Sequence, residues 1–189
     1  MRITGGIHRS RNLRAPRGDR TRPTSDRVRE ALFAILGSQR SLEGARVLDL
    51  YSGTGALALE ALSRGAAHAT LVESARSALD AIVANVQALR VSAQVRILAS
   101  PVERAMRAIA EHAPFDLVFA DPPYSLVSTG EAPRALDALG AAGLLAGSAW
   151  LVLEHSSSDE PPQMTSFTLR DSRRYGHTSV SLYSLAATA

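Results

Sequence analysis

From residue 46 onward the apolar residues fall into short blocks that alternate between two spacings. Strand-like runs occupy residues 46–51, 68–73, 94–98, 115–120 and 149–155. Helical spacing occupies residues 56–64, 75–90, 102–111 and 132–141. This alternation of strand and helix predicts an α/β fold with a doubly wound, mostly parallel sheet and right-handed crossovers.

The two ends of the chain follow other patterns. Residues 1–24 are rich in turn residues, which predicts an irregular arm containing a short hairpin. Ser25 has the features of an N-cap, and it introduces a helix that Gly37 is expected to end. Residues 165–170 and 179–185 alternate with no helix between them, so they predict an antiparallel hairpin at the sheet edge.

Composition excludes several classes of protein. At 189 residues and 46% hydrophobic content the chain suits a small globular fold. The absence of cysteine excludes disulfides, thiolate nucleophiles and cysteine-ligated metals. The five histidines are scattered, so no metal site is expected. No apolar run is long enough to cross a membrane and no secretory signal follows Met1, so we expect a cytoplasmic protein with no membrane partner.

Positive charge is concentrated at the start of the chain. All 21 basic residues are arginine, and nine of them lie in residues 1–29 beside Asp19 and Asp26, a net of +7 that leaves −4 for the rest. Such clustering indicates a polyanionic partner, most simply nucleic acid, whereas the alternative is a solvated arginine-rich tail. The candidate RNA-contacting residues are Arg9, Arg11, Arg14, Arg17, Arg20, Arg22 and Arg27. We predict two parts, a basic arm with its helix at 1–37 and a second domain at 38–189.

A glycine-rich loop follows the first predicted strand. Gly53 and Gly55 permit a tight turn and close approach of a ligand, in a variant of the dinucleotide fingerprint that is weak by itself. Asp49, just before the loop, would repel a phosphate but attract a sulfonium group. Glu73 ends the second strand, where an acid commonly accepts hydrogen bonds from ribose hydroxyls. Together these residues favour S-adenosylmethionine over NAD; the alternative is an ordinary tight turn with solvated acids.

The sequence Asp121-Pro122-Pro123-Tyr124 directly follows the buried strand at 115–120. The carboxyl ends of strands are where open α/β sheets bind ligands. The prolines stiffen the loop and provide carbonyl oxygens without N–H groups, and Tyr124 offers a flat ring. This combination suits a nucleobase held by its exocyclic amine, although a proline-stiffened loop with Tyr124 as ordinary packing would have the same sequence.

With these motifs in place, the chain resembles the Rossmann-like class I S-adenosylmethionine-dependent methyltransferases, and within them the RsmD family. Two further stretches, residues 22–33 and 56–66, are similar to that family, and the resemblance extends over nearly the whole chain. Members of the family methylate N2 of a guanine in bacterial 16S rRNA. The resemblance therefore implies S-adenosylmethionine as cofactor, 16S rRNA in a 30S subunit or its assembly intermediate as partner, and a monomeric enzyme.

The resemblance also assigns roles to residues. The catalytic candidates are Asp121, Pro122, Pro123 and Tyr124. The cofactor-binding candidates are Asp49, Tyr51, Ser52, Gly53, Gly55, Glu73, Ser100 and Asp121. Ser100 is a departure, because such enzymes usually carry an acid there that approaches the cofactor adenine. A DNA amine methyltransferase and a non-catalytic arginine-rich RNA-binding or ribosome assembly factor remain the alternatives.

Overall fold

The computed structural model of the protein describes residues 1–16 and 26–186. The helices are α1 (Asp26–Gln39), α2 (Ala56–Ser63), α3 (Arg76–Leu89), α4 (Val102–Ala110), α5 (Tyr124–Ser128) and α6 (Glu131–Ala141). The strands are β1 (Arg46–Leu50), β2 (His68–Glu73), β3 (Val95–Ala99), β4 (Phe115–Ala120), β5 (Leu145–Ser156), β6 (Phe167–Tyr175) and β7 (Thr178–Leu185). A single 3₁₀ turn, Ser92–Gln94, precedes β3.

The strands form one seven-stranded sheet in the order β3-β2-β1-β4-β5-β7-β6. The first five pair in parallel, while β7 is antiparallel to both β5 and β6. The predicted α/β class, the parallel sheet and the C-terminal antiparallel hairpin are therefore confirmed. Strand order reverses between β1 and β4, and this switch point is where such sheets bind ligands.

Helices cover both faces of the sheet, so its central strands are buried on each side. One apolar cluster joins α1, α2 and α3 to the sheet and also takes in Ile3 and Leu13 of the arm. The other joins α4 and α6 to the opposite face. Continuous apolar runs in β1 and β4 follow from this double coverage.

The described part of the arm, residues 1–16, is a hairpin docked on the domain. An antiparallel bridge joins Arg2 to Asn12, in keeping with the predicted hairpin. The carboxylate of Glu60, fully buried in α2, accepts hydrogen bonds from the backbone N–H and the hydroxyl of Thr4, both at 2.7 Å. Arg29 is also fully buried, and its Nε lies 3.4 Å from Glu60 Oε2. A buried acid paired with a buried guanidinium thus fixes the arm to the core.

Several boundaries differ from the prediction. The prediction that Gly37 ends the first helix was wrong, because α1 continues to Gln39, and the proposed division after residue 37 falls inside it. The short helix α5 was missed, since Asp-Pro-Pro-Tyr was interpreted as loop throughout. Strand β5 begins at Leu145 rather than 149, and β6 extends to Tyr175. The predicted N-cap Ser25 lies outside the described residues. Within the described ranges, no helix is long and apolar enough to cross a membrane.

Candidate active site

The predicted cofactor and acceptor residues converge at the carboxyl edge of the sheet. Strands β1 and β4 are paired, and the last pair in register is Leu50 with Ala120. The glycine loop, residues 52–55, therefore follows β1 beside the acceptor loop, residues 121–124, which follows β4. A hydrogen bond from the Asp121 N–H to the Leu50 carbonyl, 3.4 Å long, joins the two.

The two glycines of the glycine loop lack a side chain for different structural reasons. Both adopt positive φ, +54° at Gly53 and +75° at Gly55. A Cβ on Gly55 would lie 2.8 Å from Leu71 Cδ2, so the absence of a side chain is required by packing of the loop on β2. A Cβ on Gly53 would meet no atom of the described structure within 4 Å. Gly53 therefore borders open space in which a ligand can contact the backbone.

Glu73 holds the glycine loop from the neighbouring strand. Its Oε2 accepts the Gly53 N–H at 2.8 Å, and its Oε1 accepts the N–H groups of Ser74 and Ala75 at 2.7 and 2.8 Å. Ser52 lies beneath the loop, and its single hydroxyl hydrogen is shared between the carbonyl oxygens of Asp49 and Val72. Glu73 and Ser52 therefore shape the loop, and Glu73 lies at the strand end where the sequence predicts a ribose contact.

Asp49 is buried below the loop, with only 1% of its surface exposed. Its Oδ2 accepts the Ala58 N–H at 3.1 Å, which satisfies one of the N–H groups at the start of α2. Burial raises the pKa of the Asp49 carboxyl well above its usual value, and the nearby Asp121 and Glu73 carboxylates raise it further. A positive charge bound at this edge would favour the ionised form. Open space at Gly53 above a buried acid fits a sulfonium ligand.

The acceptor loop is stiffened by its prolines and tied to the C-terminal hairpin. Pro122 is buried, whereas Pro123 is exposed and its carbonyl accepts the Leu126 N–H at 2.8 Å as α5 begins. The Tyr124 hydroxyl is 2.7 Å from Thr178 Oγ1 at the start of β7, and the residue is 37% exposed. Since the Pro123 carbonyl is already engaged, Pro122 is the better candidate of the two for holding an amine.

Tyr51 and Ser100 complete the edge. Tyr51 has a positive φ of +57°, and its hydroxyl is 3.5 Å from Glu103 Oε1. Burial and the Glu103 carboxylate raise the pKa of Tyr51 to about 12. The Ser100 N–H donates to the Glu73 carbonyl at 3.0 Å, so β3 delivers Ser100 next to Glu73. The described ranges hold no cluster of three histidine or acidic side chains suited to a metal ion.

Comparison with known proteins agrees with this arrangement. The family described as "Conserved hypothetical protein 95" matches residues 1–184. Ribosomal RNA small subunit methyltransferase D of Escherichia coli (strain K12) is 42% identical over 125 residues, which cover 66% of this chain and 60% of that protein. The chain belongs to the RsmD family. The cofactor of RsmD-family enzymes is S-adenosylmethionine, for which the glycine loop and Asp49 are the candidate site.

Two further matches cover nearly the full length of both chains. YlbH of Bacillus subtilis (strain 168) is 31% identical over 185 residues, 97% of this chain and 98% of that protein. The solved structure of yhhF from Escherichia coli has 35% identity and a TM-score of 0.83, and the match covers 100% of this chain and 99% of that chain. The fold is therefore shared with that structure from the arm to the C-terminal hairpin.

The predicted RNA-contacting arginines lie in the arm and at the start of α1. Arg9, Arg11, Arg14 and Arg27 are exposed. Arg11 also donates from Nη2 to the Ala88 carbonyl at 3.0 Å, at the end of α3. The remaining candidates, Arg17, Arg20 and Arg22, lie outside the described residues.

Sequence reasoning missed four residues that shape the site. They are Thr54 in the glycine loop, Asn85 in α3, Glu103 in α4 and Thr178 in β7. Asn85 had a detectable signal, because it occupies the buried stripe of α3 together with Ala81, Ile82 and Val86, where a polar side chain needs a specific partner. Glu103 and Thr178 act through contacts distant in sequence, which no local pattern predicts.

Proposed function

We propose that the protein transfers a methyl group from S-adenosylmethionine to the exocyclic N2 amine of a guanine in 16S rRNA. The observation that carries the proposal is the pairing of β1 with β4, which brings the glycine loop and the acceptor loop to one edge. Membership of the RsmD family and the name of the Escherichia coli relative support the rRNA substrate. The enzyme acts as a monomer on a 30S subunit or its assembly intermediate.

The cofactor is held by the open backbone at Gly53, with Asp49 below the loop and Glu73 and Ser100 beside it. When bound, S-adenosylmethionine supplies an electrophilic methyl group on a positively charged sulfur. Asp49 favours that charge electrostatically, and Tyr51 closes the edge toward α4. Of the two glycines, Gly53 is the one with room for a ligand against its backbone.

The acceptor amine is a weak nucleophile because its lone pair is delocalised into the base. Hydrogen bonds from its N–H groups to the Asp121 carboxylate and the Pro122 carbonyl orient that lone pair toward the methyl group. As the N–C bond forms and the S–C bond breaks, the nitrogen loses a proton to Asp121, directly or through water. Tyr124 stacks on the base, a contact worth about 1–3 kcal/mol. Positioning of the two reactants contributes much of the acceleration.

The arm supplies the contact with RNA outside the reacting base. Its exposed arginines bind phosphates and stack on unpaired bases, as recognition of single-stranded RNA requires. Residues 1–37, the arm and most of α1, thus serve substrate binding, while residues 38–189 carry the chemistry.

The test is transfer of a labelled methyl group to 16S rRNA, offered both naked and in 30S particles, with duplex DNA as a parallel substrate. Digestion to nucleosides followed by mass spectrometry is expected to give N2-methylguanosine. Label in DNA or in a methylated adenine would contradict the guanine assignment. Binding of cofactor and RNA without transfer would instead favour the assembly-factor alternative. Light scattering of the active enzyme checks the monomer.

A further inference from the structure

Asn85 is a buried polar residue whose side-chain amide forms hydrogen bonds with segments outside its own helix. It lies on the apolar stripe of α3 and is 2% exposed. Its Oδ1 accepts the Arg14 N–H at 2.7 Å, and its Nδ2 donates to the Arg14 carbonyl at 3.1 Å. The same Nδ2 donates to the Thr54 carbonyl at 3.0 Å. One amide therefore joins the arm to the middle of the glycine loop.

A second contact connects the same two segments. The Thr54 hydroxyl donates to Met1 Sδ at 3.4 Å, and Thr54 itself is buried, at 9% exposure. Thr54 lies between Gly53, which borders the open space, and Gly55, which packs on β2. Any adjustment of the loop around a ligand at Gly53 therefore acts on the Thr54 peptide, and through it on the Asn85 amide that holds Arg14.

We infer that Asn85 is a positioning residue that couples docking of the arm to binding of the cofactor. The inference rests on the proposed function only in treating the arm as the RNA-contacting part of the enzyme. Because coupling between two sites is reciprocal, cofactor binding should hold the arm in place, and a docked arm should raise cofactor affinity by the same factor. The arm is then presented to RNA in its docked form when a methyl donor is bound.

The chain offers a matched control at the other arm anchor. Ser63 is also buried, and its hydroxyl donates to the Gly5 carbonyl at 2.6 Å and accepts the His8 N–H at 2.9 Å. Ser63 lies at the far end of α2 from the glycine loop. Ser63→Ala therefore loosens the arm by removing a comparable buried anchor, and it leaves the Thr54 contact intact.

The experiment compares Asn85→Ala with Ser63→Ala in two assays. Calorimetry gives S-adenosylmethionine affinity, and the rate of tryptic cleavage after the exposed arm arginines gives arm docking, with and without cofactor. Asn85→Ala should weaken cofactor binding about fivefold, the size expected for one buried hydrogen bond, and abolish protection of the arm by cofactor. Ser63→Ala should speed cleavage but keep both cofactor affinity and protection. Equal cofactor affinities in the two variants would overturn the coupling.

Hydrogen exchange in the unmodified protein tests the same inference without a variant that has to fold. Cofactor should slow exchange of the Arg14 N–H, which is bound to Asn85, more than that of the Thr4 N–H, which is bound to Glu60. Equal slowing of both amides would mean that cofactor stabilises the arm as a whole, and it would contradict a route through Asn85. None of these three measurements uses RNA, so failure of the proposed rRNA specificity would leave the result interpretable.

Discussion

The glycine loop and the acceptor loop lie side by side at one edge of the sheet, yet they are held in different ways. Hydrogen bonds fix the glycine loop at successive positions. The Gly53 N–H donates to the Glu73 carboxylate, the Thr54 carbonyl accepts from the Asn85 amide, and the Gly55 N–H donates to the Ser52 carbonyl at 2.7 Å. The acceptor loop is more exposed. Its anchors include the stiffness of its prolines, the hydrogen bond from the Asp121 N–H to the Leu50 carbonyl, the start of α5 and the contact of the Tyr124 hydroxyl with Thr178.

The difference fits the two ligands proposed for these loops, the methyl donor at the glycine loop and a base at the acceptor loop. A donor that is the same in every turnover can be met by a rigid backbone, whose binding costs little reorganisation. An acceptor base has to leave its own stack and enter from a large polymer, so the loop that receives it has to be accessible. We therefore expect substitutions at the first loop to affect cofactor binding or folding, and those at the second to affect transfer.

The largest expected effect comes from the acceptor loop. Asp121→Ala should lower the rate of methyl transfer by about 100-fold or more, because the carboxylate that orients the amine and takes its proton is lost. Cofactor affinity should stay within a few-fold. Single-turnover transfer to rRNA measures the first quantity and calorimetry the second.

Glu131→Ala is the control, since Glu131 is an exposed carboxylate at the start of α6. It should transfer methyl groups at nearly the normal rate. Near-normal turnover in Asp121→Ala would remove the proposed acceptor site and, with it, the functional contrast between the loops.

Substitutions at the two glycines of the glycine loop should have different effects, one on stability and the other mainly on cofactor binding. Gly55→Ala combines positive φ with a Cβ 2.8 Å from Leu71, so it should lower the free energy of unfolding by about 2–4 kcal/mol. Gly53→Ala has positive φ but open space, so it should cost about 1–2 kcal/mol of stability and weaken cofactor binding strongly. Urea unfolding and calorimetry measure the two effects.

Gly143→Ala is matched to Gly53→Ala. Gly143 has φ of +69°, and a Cβ added there would meet no atom of the described structure within 4 Å; the residue lies in the turn between α6 and β5. Gly143→Ala should lose a similar amount of stability with no change in cofactor affinity. Unchanged affinity in Gly53→Ala as well would show that the loop does not contact the ligand.

The buried acid below the first loop should make stability depend on pH. The folded protein holds the Asp49 proton more tightly than the unfolded chain, whose carboxyl titrates near 3.8. The contribution of Asp49 to stability is therefore greatest below pH 3.8 and is lost as pH rises through the pKa of the folded state. Between the pKa values of the unfolded and folded states, the free energy of unfolding falls by about 1.4 kcal/mol for each pH unit. Asp49→Asn should remove this decline, as measured by urea unfolding across pH.

Asp80→Asn, at an exposed position on α3, provides the comparison for Asp49→Asn. It should leave the decline in stability above pH 3.8 in place. If Asp49→Asn and the unmodified protein lost stability equally over that range, the burial of an acid beneath the loop would have no effect on folding.

The smallest effect concerns the arm, which docks on the glycine-loop side and is proposed to contact the RNA substrate. If about five arginines reach phosphates, the log–log dependence of RNA affinity on salt should have a slope of roughly −3.5. Replacing Arg9, Arg11 and Arg14 together with Ala should flatten that slope by about two units. Cofactor affinity should change little, because their side chains do not contact the glycine loop in the described contacts.

A triple replacement of Arg90, Arg96 and Arg107, all exposed elsewhere, removes the same charge and should leave the slope nearly unchanged. The melting temperature of each variant is measured alongside. A lowered melting temperature with an unchanged slope in the arm variant would mean that these arginines hold the arm on the body and do not bind RNA.

The order and type of most elements could be predicted from sequence, because buried parallel strands and amphipathic helices have strong local periodicity. The errors arose where pairing outweighed local preference. Gly147 and Ser148 look like a turn, yet β5 continues through them because Leu145 pairs with Phe115 across an irregular register. The second half of β6, beyond Arg170, is almost entirely polar, so no alternation marked the extension of the strand to Tyr175.

The loops of the site were predictable because each is a short local motif at a strand end. Which arginines are available to bind RNA was less predictable. Arg29 was counted in the basic arm, although it is buried against Glu60 and Asp26. Its partner Glu60 is 31 residues away, and a count of charges does not distinguish an internal ion pair from a surface for RNA. The inferred role of Asn85 could not be predicted either, because it depends on contacts with Arg14 and Thr54, which are both distant in sequence.

The position of β7 between β5 and β6 sets an order in which the protein can be built during synthesis. Strands β1 to β5 can pair as they emerge, but β6 has no place in the sheet until β7 follows it. Thr178, the partner of Tyr124, is the first residue of β7. We therefore expect the nascent chain to assemble its methyl-donor half first, and to fix its acceptor loop only when translation has passed β7.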